Sequence, residues 1–151
     1  MATKQLVVRR HIDIDAGAAR VWEIIVSPAQ WPKWMKVIPA VSPGHDTIEL
    51  GSKIAWKDEH GQTYLAGTII ALDRESRFVL ELDDISWASH PAPGEVTYSL
   101  ELKQHRNVTR VEFRLGDLSV DPNGAKWHQS YVDSRELEKI KELAEARTRD
   151  S

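Results

Sequence analysis

The C-terminal stretch, residues 124–147, is the only one whose apolar positions keep a helical spacing over several turns. Leu137, Ile140 and Ala144 fall on one face, with Leu143 beside them. The other positions are mostly charged: Glu136, Glu138, Lys139, Lys141, Glu142 and Glu145. The pattern predicts a long final helix with one buried face and one face in water. The rest of the chain has to supply the surface that covers the buried face.

The buried face changes character toward the N-terminus of this stretch. It runs through Ser134 and Ser130 to Trp127, so small hydroxyl side chains occupy positions where a packed helix usually carries Leu. We predict that the second half of the helix closes a core and that the first half roofs a cavity, with both serines beneath it. The alternative is that the two serines lie on ordinary helix surface.

A second interpretation begins the final helix ten residues later. Asp133 would then be the N-cap, followed by Ser134, with Glu136 as its partner in a capping box. Gly124 favours this alternative, because glycine in a helix interior is destabilising. The sequence leaves both starting points open.

The segments before the helix alternate apolar and polar residues, as half-buried strands do. At the start, Leu6, Val8, Ile12 and Ile14 share one parity, which Arg10 interrupts. The Arg10 head is expected in water at a sheet end, and a position in a cavity is the alternative. Five later runs are predicted as strands: residues 53–57, 63–72, 78–83, 96–103 and 108–115. Turn-forming residues between these runs indicate antiparallel hairpins.

Two short helices are predicted between the first strand and the later ones. Asp15 is a candidate N-cap for a helix that buries Val21 and ends at Pro28. Ser27 would then cap a second, shorter helix. A strand, two helices, about six more strands and a long final helix together indicate an α+β fold with helices on one face of an antiparallel sheet.

Composition and charge restrict the class of protein. A chain of 151 residues with 41% hydrophobic residues is expected to form one domain, residues 1–151, with a core and a modest pocket. The net charge of −3 gives no electrostatic footprint for nucleic acid or an anionic membrane. The absence of cysteine excludes disulfides and thiolate catalysis, and no apolar run has the length of a transmembrane helix. We expect a cytoplasmic monomer or homodimer.

Several motifs resemble those of a known superfamily. Residues 12–16 (IDIDA), 19–25 (ARVWEII) and 28–35 (PAQWPKWM) are similar to the opening signature of the SRPBCC, or START-like helix-grip, superfamily. Residues 51–56 (GSKIAW) and 137–144 (LEKIKELA) share this resemblance. The nearest branches are the bacterial homologues of the activator of Hsp90 ATPase and the polyketide cyclase/dehydrase-like proteins. The resemblance implies a curved sheet of about seven strands that wraps around the long C-terminal helix and encloses an apolar cavity.

The polar residues give little indication of metal or nucleophilic catalysis. The six histidines show no metal-ligand spacing, and neither a glycine-rich phosphate motif nor a nucleophile elbow occurs. Asp83 and Asp84 are neighbours on a predicted strand and would point to opposite faces, so they do not form a carboxylate pair. No metal or cofactor is therefore expected.

The aromatic residues indicate a possible ligand site more clearly than the polar residues indicate catalysis. Six tryptophans are many for this length, and tryptophan anchors both small cores and apolar ligands. In the resembled fold, all of them except Trp22 fall in segments that rim or line the cavity, and tyrosine hydroxyls there would orient a polar group of the ligand. The candidate ligand-binding residues are Trp31, Trp34, Met35, Trp56, Tyr64, Trp87, Tyr98, Phe113, Trp127, Ser130, Tyr131 and Ser134.

Three functions follow as hypotheses. The first is binding of a small apolar or aromatic molecule, such as a lipid or polyketide, in the cavity. The second is a cyclase/dehydrase-type enzyme, which would need Tyr64, Tyr98 or a buried acid as general acid or base. The third is an Hsp90 co-chaperone-like interaction module, which would need an exposed apolar patch on the outer face of the sheet. That face is predicted to be polar, and residues 114–118 (RLGDL) replace a Thr-x-x-His-x-Gly-like segment of that branch.

Overall fold

One antiparallel sheet and four α-helices make up the described part of the chain. The computed structural model describes residues 6–36, 40–41, 48–84, 87 and 95–146. The strands are β1 Val8–Ile14, β2 Ala40–Val41, β3 Lys53–Lys57, β4 Thr63–Asp73, β5 Arg77–Asp84, β6 Thr97–His105 and β7 Val108–Gly116. The helices are α1 Ala18–Val26, α2 Trp31–Trp34, α3 Gly124–Val132 and α4 Glu136–Ala146, and short 3-10 helices cover Pro28–Gln30 and Leu118–Val120.

The strands follow the order β1-β7-β6-β5-β4-β3-β2, so the two chain-distant strands β1 and β7 pair. The predicted α+β helix-grip class is confirmed, and the five predicted later strands correspond to β3 to β7. Six strands have five or more residues, and β2 has two. None of the described helices is long and apolar enough to cross a membrane.

Strand register brings apolar side chains of neighbouring strands together on one face of the sheet. Tyr98 on β6 pairs with Leu80 on β5 and with Leu115 on β7. Leu100 pairs in the same way with Phe113. All five side chains are buried. The helices cover this face, called the inner face, because the Tyr98 hydroxyl on it donates to Glu136, the first residue of α4, and α1 and α4 contact β6 and β1.

Gly67 on β4 leaves space for a large ring on the neighbouring strand. A Cβ atom at this position would lie 3.1 Å from Cζ3 of Trp56 on β3, closer than an ordinary van der Waals contact. The missing side chain therefore lets the Trp56 ring lie flat on the sheet, where it becomes part of the inner face.

The prediction of one uninterrupted helix over residues 124–147 is wrong. The chain leaves the helical conformation at residues 133–135, which separate α3 from α4. Ser134 Oγ accepts the backbone N–H of Glu136 at 3.1 Å, so the serine caps the first turn of α4. The alternative interpretation was also wrong about the cap, because Asp133 ends α3 and its carboxylate accepts Nε2 of Gln129 at 2.8 Å.

Gly124 permits the start of α3. It is the first residue of that helix and is buried. A Cβ atom there would lie 2.1 Å from the carbonyl oxygen of Leu118, which no side chain tolerates. Glycine is thus required for close packing of α3 against the preceding 3-10 helix, and it does not indicate a break.

The predicted caps of the first two helices differ from those in the structure. Gly17 is the N-cap of α1, and the Asp15 backbone N–H donates to Oε2 of Glu145 on α4 at 2.8 Å. Ser27 stands at the N-cap of the 3-10 helix, but its side chain makes no capping hydrogen bond. Pro28 ends α1 as predicted, since the helix stops at Val26.

Arg10 reaches the junction between α3 and α4. Its guanidinium donates to the backbone carbonyl of Ser134 and forms a salt bridge with Glu138. Only 26% of the side chain is exposed. The expectation of a head group in water was wrong, because a carbonyl and a carboxylate at the junction replace the water. Arg10 therefore links the junction between α3 and α4 to strand β1.

Replacing Arg10 with Met should lower the free energy of unfolding by about 1–3 kcal/mol, because the Ser134 carbonyl and the Glu138 carboxylate would lose a charged donor while staying partly buried. Urea denaturation measures the change. The matched control is Arg9→Met on the same strand, whose side chain is exposed and whose loss should stay within about 0.5 kcal/mol. Equal losses in the two variants would contradict the role given to Arg10.

Candidate ligand-binding site

A cavity of about 200 Å³ lies between the inner face of the sheet and helix α3, next to the first residue of α4. The sheet contributes residues of β3, β4, β5, β6 and β7, and the chain after α2 contributes one wall. The lining residues are Met35, Lys36, Trp56, Tyr64, Leu65, Leu80, Leu82, Asp84, Tyr98, Leu115, Asp121, Trp127, Ser130, Tyr131 and Glu136. The cavity is therefore apolar and aromatic for the most part, with its polar groups contributed by a few residues.

The structure brings seven of the twelve sequence-predicted site residues to this lining: Met35, Trp56, Tyr64, Tyr98, Trp127, Ser130 and Tyr131. They come from five separate elements or loops. Ser130 lies on α3, in the first part of the C-terminal helical region, and lines the cavity. Whether these residues bind a ligand stays a prediction.

Two predicted tryptophans lie in the core and not in the cavity lining. The indole N–H of Trp31 donates to the Ile25 carbonyl at 2.8 Å, and that of Trp34 donates to the Ile24 carbonyl at 3.0 Å. Both side chains are almost completely buried. They bind the last carbonyls of α1, which α1 itself cannot satisfy, and so hold α2 against α1.

The remaining three predicted residues lie outside the lining. Ser134 is buried and caps α4. Phe113 makes an edge contact with Tyr98 at a centroid distance of 5.0 Å and stacks on Tyr131 at 6.2 Å. Trp87 packs against Trp127 at 6.4 Å. Phe113 and Trp87 thus support rings that line the cavity.

Glu136 is the site residue that the sequence pattern placed wrongly. It was assigned to the wet face of the helix, but only 6% of it is exposed. Its Oε1 accepts the Tyr98 hydroxyl at 2.8 Å, and its Oε2 accepts the backbone N–H of Lys36 at 2.8 Å. The helical phase of α4 alone could not reveal this, because Glu136 is the first residue of α4 and its environment comes from other elements. The sequence feature that could have indicated its burial is its position two residues after Ser134, the serine that caps α4.

Burial perturbs the ionisable groups of the cavity. Burial raises the pKa of Glu136, and the hydrogen bonds from Lys36 and Tyr98 oppose that shift without reversing it. The pKa of Tyr98 is raised well above its usual value by burial and then by the neighbouring Glu136 carboxylate. Burial likewise raises the pKa of Tyr131 and, to a smaller extent, of Tyr64. The tyrosines are therefore neutral hydroxyls.

A second depression, of about 320 Å³, lies over strands β1, β7 and β6 away from the helices. Charged residues of both signs surround it: Arg9, Arg10, His11, Glu101, Glu112 and Arg114, together with Ser99 and Phe113. Several are already engaged, since Arg114 donates to Thr97 at 3.1 Å and Glu112 pairs with Lys103 at 3.3 Å. Phe113 is the one aromatic residue among the described residues that line this surface, and the charged side chains around it are largely paired, so it is not the candidate site.

The fold is similar to solved structures across almost the whole chain. A protein from Cytophaga hutchinsonii is 20% identical with a TM-score of 0.67, and the match covers 99% of each chain. The Aha1 dimer from Colwellia psychrerythraea is 15% identical with a TM-score of 0.64, over 92% of this chain and 96% of that chain. DynU16, a protein of the dynemicin biosynthetic locus, is 12% identical with a TM-score of 0.67. The match covers 94% of this chain and 48% of DynU16, so this chain spans about half the length of DynU16.

At these identities the structural likeness concerns the fold alone. No curated protein matches the sequence. The family model described as Activator of Hsp90 ATPase homolog 1-like protein matches residues 15–145. The match includes α1, the six strands β2 to β7 and nearly all of α4, and it begins directly after β1; it confirms the resemblance seen in the sequence motifs. The chain belongs to the family of Activator of Hsp90 ATPase homolog 1-like proteins.

Proposed function

We propose that the protein binds a compact apolar or aromatic molecule in the cavity between the sheet and α3. The observation that carries the proposal is the aromatic lining: Trp56, Tyr64, Trp127 and Tyr131 surround a space that side chains leave open. Protein interiors normally close such spaces, because an unfilled cavity loses packing contacts. A cavity that persists among large rings is suited to a ligand that replaces those contacts.

The cavity volume limits the size of the ligand. An apolar cavity of about 150 Å³ is known to hold benzene. A space of about 200 Å³ therefore accommodates one or two fused rings. Larger members of the predicted ligand classes, such as long lipids, would have to extend out of the cavity.

Ser130→Phe should weaken binding strongly without unfolding the protein. Ser130 lines the cavity, so the new ring fills empty volume and adds buried apolar surface worth about 25 cal/mol per Å². The melting temperature should hold or rise. The affinity for 1-naphthalenemethanol, measured by calorimetry, should fall by about tenfold or more, since the ring takes the space of the probe and each 1.4 kcal/mol of lost contact is tenfold.

Ser134→Phe is the matched control. Ser134 is buried outside the cavity, and its hydroxyl caps α4. This variant should overpack and lose stability by about 1–3 kcal/mol, while the folded protein still binds the probe. A Ser130→Phe protein that binds as well as wild type would refute the cavity as the binding site.

Acid–base catalysis on the bound molecule is the second candidate function. The enzyme hypothesis required a perturbed ionisable group inside the cavity, and Glu136 is such a group, with a pKa raised by burial. Its carboxylate would take a proton from a carbon next to a ligand carbonyl. Deuterium incorporation into 2-tetralone in D₂O, followed by mass spectrometry, tests this step. Wild-type protein should accelerate exchange above the buffer rate, and Glu136→Gln should not.

The raised pKa of Glu136 should appear in the pH dependence of stability. The folded protein retains the Glu136 proton to a higher pH than the unfolded chain, whose glutamates ionise near 4.5. Above that pH the unfolded chain binds fewer protons, so this group makes the free energy of unfolding fall as pH rises until the folded pKa is passed. The Glu136→Gln variant should therefore gain stability relative to wild type across this window.

Urea denaturation from pH 4 to 8 measures the difference, with Glu142→Gln as an exposed control on the same helix. A pH-independent difference between Glu136→Gln and wild type would contradict the raised pKa.

The described surface does not favour the interaction-module hypothesis. On the outer face, Lys103 pairs with Glu112 at 3.3 Å, and Arg110 pairs with Asp13 at 3.0 Å. These contacts form a polar face, whereas a chaperone-type contact needs exposed apolar area. The related Colwellia psychrerythraea protein is described as a dimer, and self-association of this chain stays a prediction.

A further inference from the structure

We propose that the ligand carries a hydrogen-bond donor at its polar end, preferably a protonated amine, and that Glu136 holds this group among the aromatic rings of the cavity. The inference rests on the proposed binding function and narrows its ligand class. Compact aromatic or alicyclic amines are the class that fits. Fatty acids and other apolar carboxylates are the class that the cavity disfavours.

The first argument is the sign of the charges around the cavity. Its lining contains three acidic residues: Glu136, Asp84 and Asp121. Lys36 is the one basic residue among the lining residues, and its side chain is exposed. Asp121 already accepts the indole N–H of Trp87 at 2.7 Å, which fixes the direction of its carboxylate. A ligand anion would lie near these carboxylates with no buried cation among the described lining residues to offset them, whereas a ligand cation would be attracted to them.

The second argument is the hydrogen-bond direction at Glu136. Both carboxylate oxygens accept a hydrogen bond, one from the Tyr98 hydroxyl and one from the Lys36 backbone N–H. Each carboxylate oxygen can accept more than one donor, so capacity for a ligand N–H or O–H remains. The two protein donors, by contrast, are already directed at Glu136. A ligand acceptor atom would therefore have to compete with Glu136 for these two donors.

The third argument is the nature of the walls. Trp56, Tyr64, Trp127 and Tyr131 present aromatic rings to the same space. Aromatic faces attract cations through their quadrupole, and the attraction is strongest for tryptophan and for partly desolvated groups. Rings and a carboxylate therefore favour the same ligand group, a cation attached to an apolar body.

Three naphthalene probes of equal ring size test the proposal. They are 1-naphthylmethylamine, 1-naphthalenemethanol and 1-naphthoate, which differ in the charge of one substituent. Calorimetry at neutral pH should rank the amine above the alcohol by about tenfold or more, since a hydrogen bond to a charged group contributes about 1.5–3 kcal/mol. The carboxylate should bind more weakly than the alcohol. Glu136→Gln should bring the amine-to-alcohol affinity ratio close to one, and the exposed Glu142→Gln should keep the wild-type ratio.

The outcomes separate this inference from the binding function on which it rests. If the alcohol binds wild-type protein but the amine binds no better, the inference fails and the binding function stands. The same holds if 1-naphthoate binds most tightly. If none of the three probes binds, both fail. The ranking on wild-type protein needs no variant, so a Glu136→Gln protein that does not fold would leave the test intact.

Discussion

The carboxylate of Glu136 joins three parts of the molecule that meet at one end of the cavity. Through Tyr98 it is bound to the middle of the sheet, through the Lys36 backbone to the end of α2, and through its own backbone to the start of α4. A buried carboxylate is unfavourable unless donors surround it, and the two hydrogen bonds and the N-terminus of a helix offset that penalty. The group that creates the polar end of the cavity is thus also the group that fixes its walls relative to each other.

The interruption between α3 and α4 makes this arrangement possible. A continuous helix would carry its buried stripe in one line, and the residues before Leu137 would then have to pack against the sheet as a core does. The break at residues 133–135 lets α3 lie over the cavity while α4 packs on α1 and β1. Two side-chain contacts hold the break: the Ser134 hydroxyl on the N–H of Glu136, and the Arg10 guanidinium on the Ser134 carbonyl. The Ser134 contact joins residues that are close together in sequence, whereas the Arg10 contact joins residues that are 124 positions apart.

Whether a contact joins residues close together or far apart in sequence determines how much of the fold and of the candidate site could be predicted from the sequence. The strands were predictable because alternation is local and the apolar parity of residues such as Tyr98 and Leu100 repeats along each strand. The cap of α4 is local, and the alternative helix start at Ser134 followed from it, but the contact that holds the break and the burial of Glu136 depend on partners far away in sequence, Arg10 and Lys36, which no periodicity encodes. The tryptophans show the same limit. Trp31 and Trp34 share the composition signal with Trp56, but their indole N–H groups bind carbonyls of α1, and only the fold distinguishes core rings from cavity rings.

Several of the aromatic rings that line the cavity pack against aromatic rings outside the lining. Phe113 lies between Tyr98 and Tyr131, at 5.0 and 6.2 Å, and Trp87 fixes Trp127 while its own indole N–H is bound by Asp121. Because Tyr98, Tyr131 and Trp127 each have such a partner, their positions are fixed without a ligand, and binding of the proposed ligand would cost little conformational entropy there. The contact between Tyr98 and Phe113 depends on the register of β6 and β7, whereas Trp87, Trp127 and Tyr131 lie outside the sheet. Members of a family with this fold can keep the sheet that forms one wall and differ in the few side chains that line the cavity, so the carboxylates and rings of each chain determine which ligand class fits.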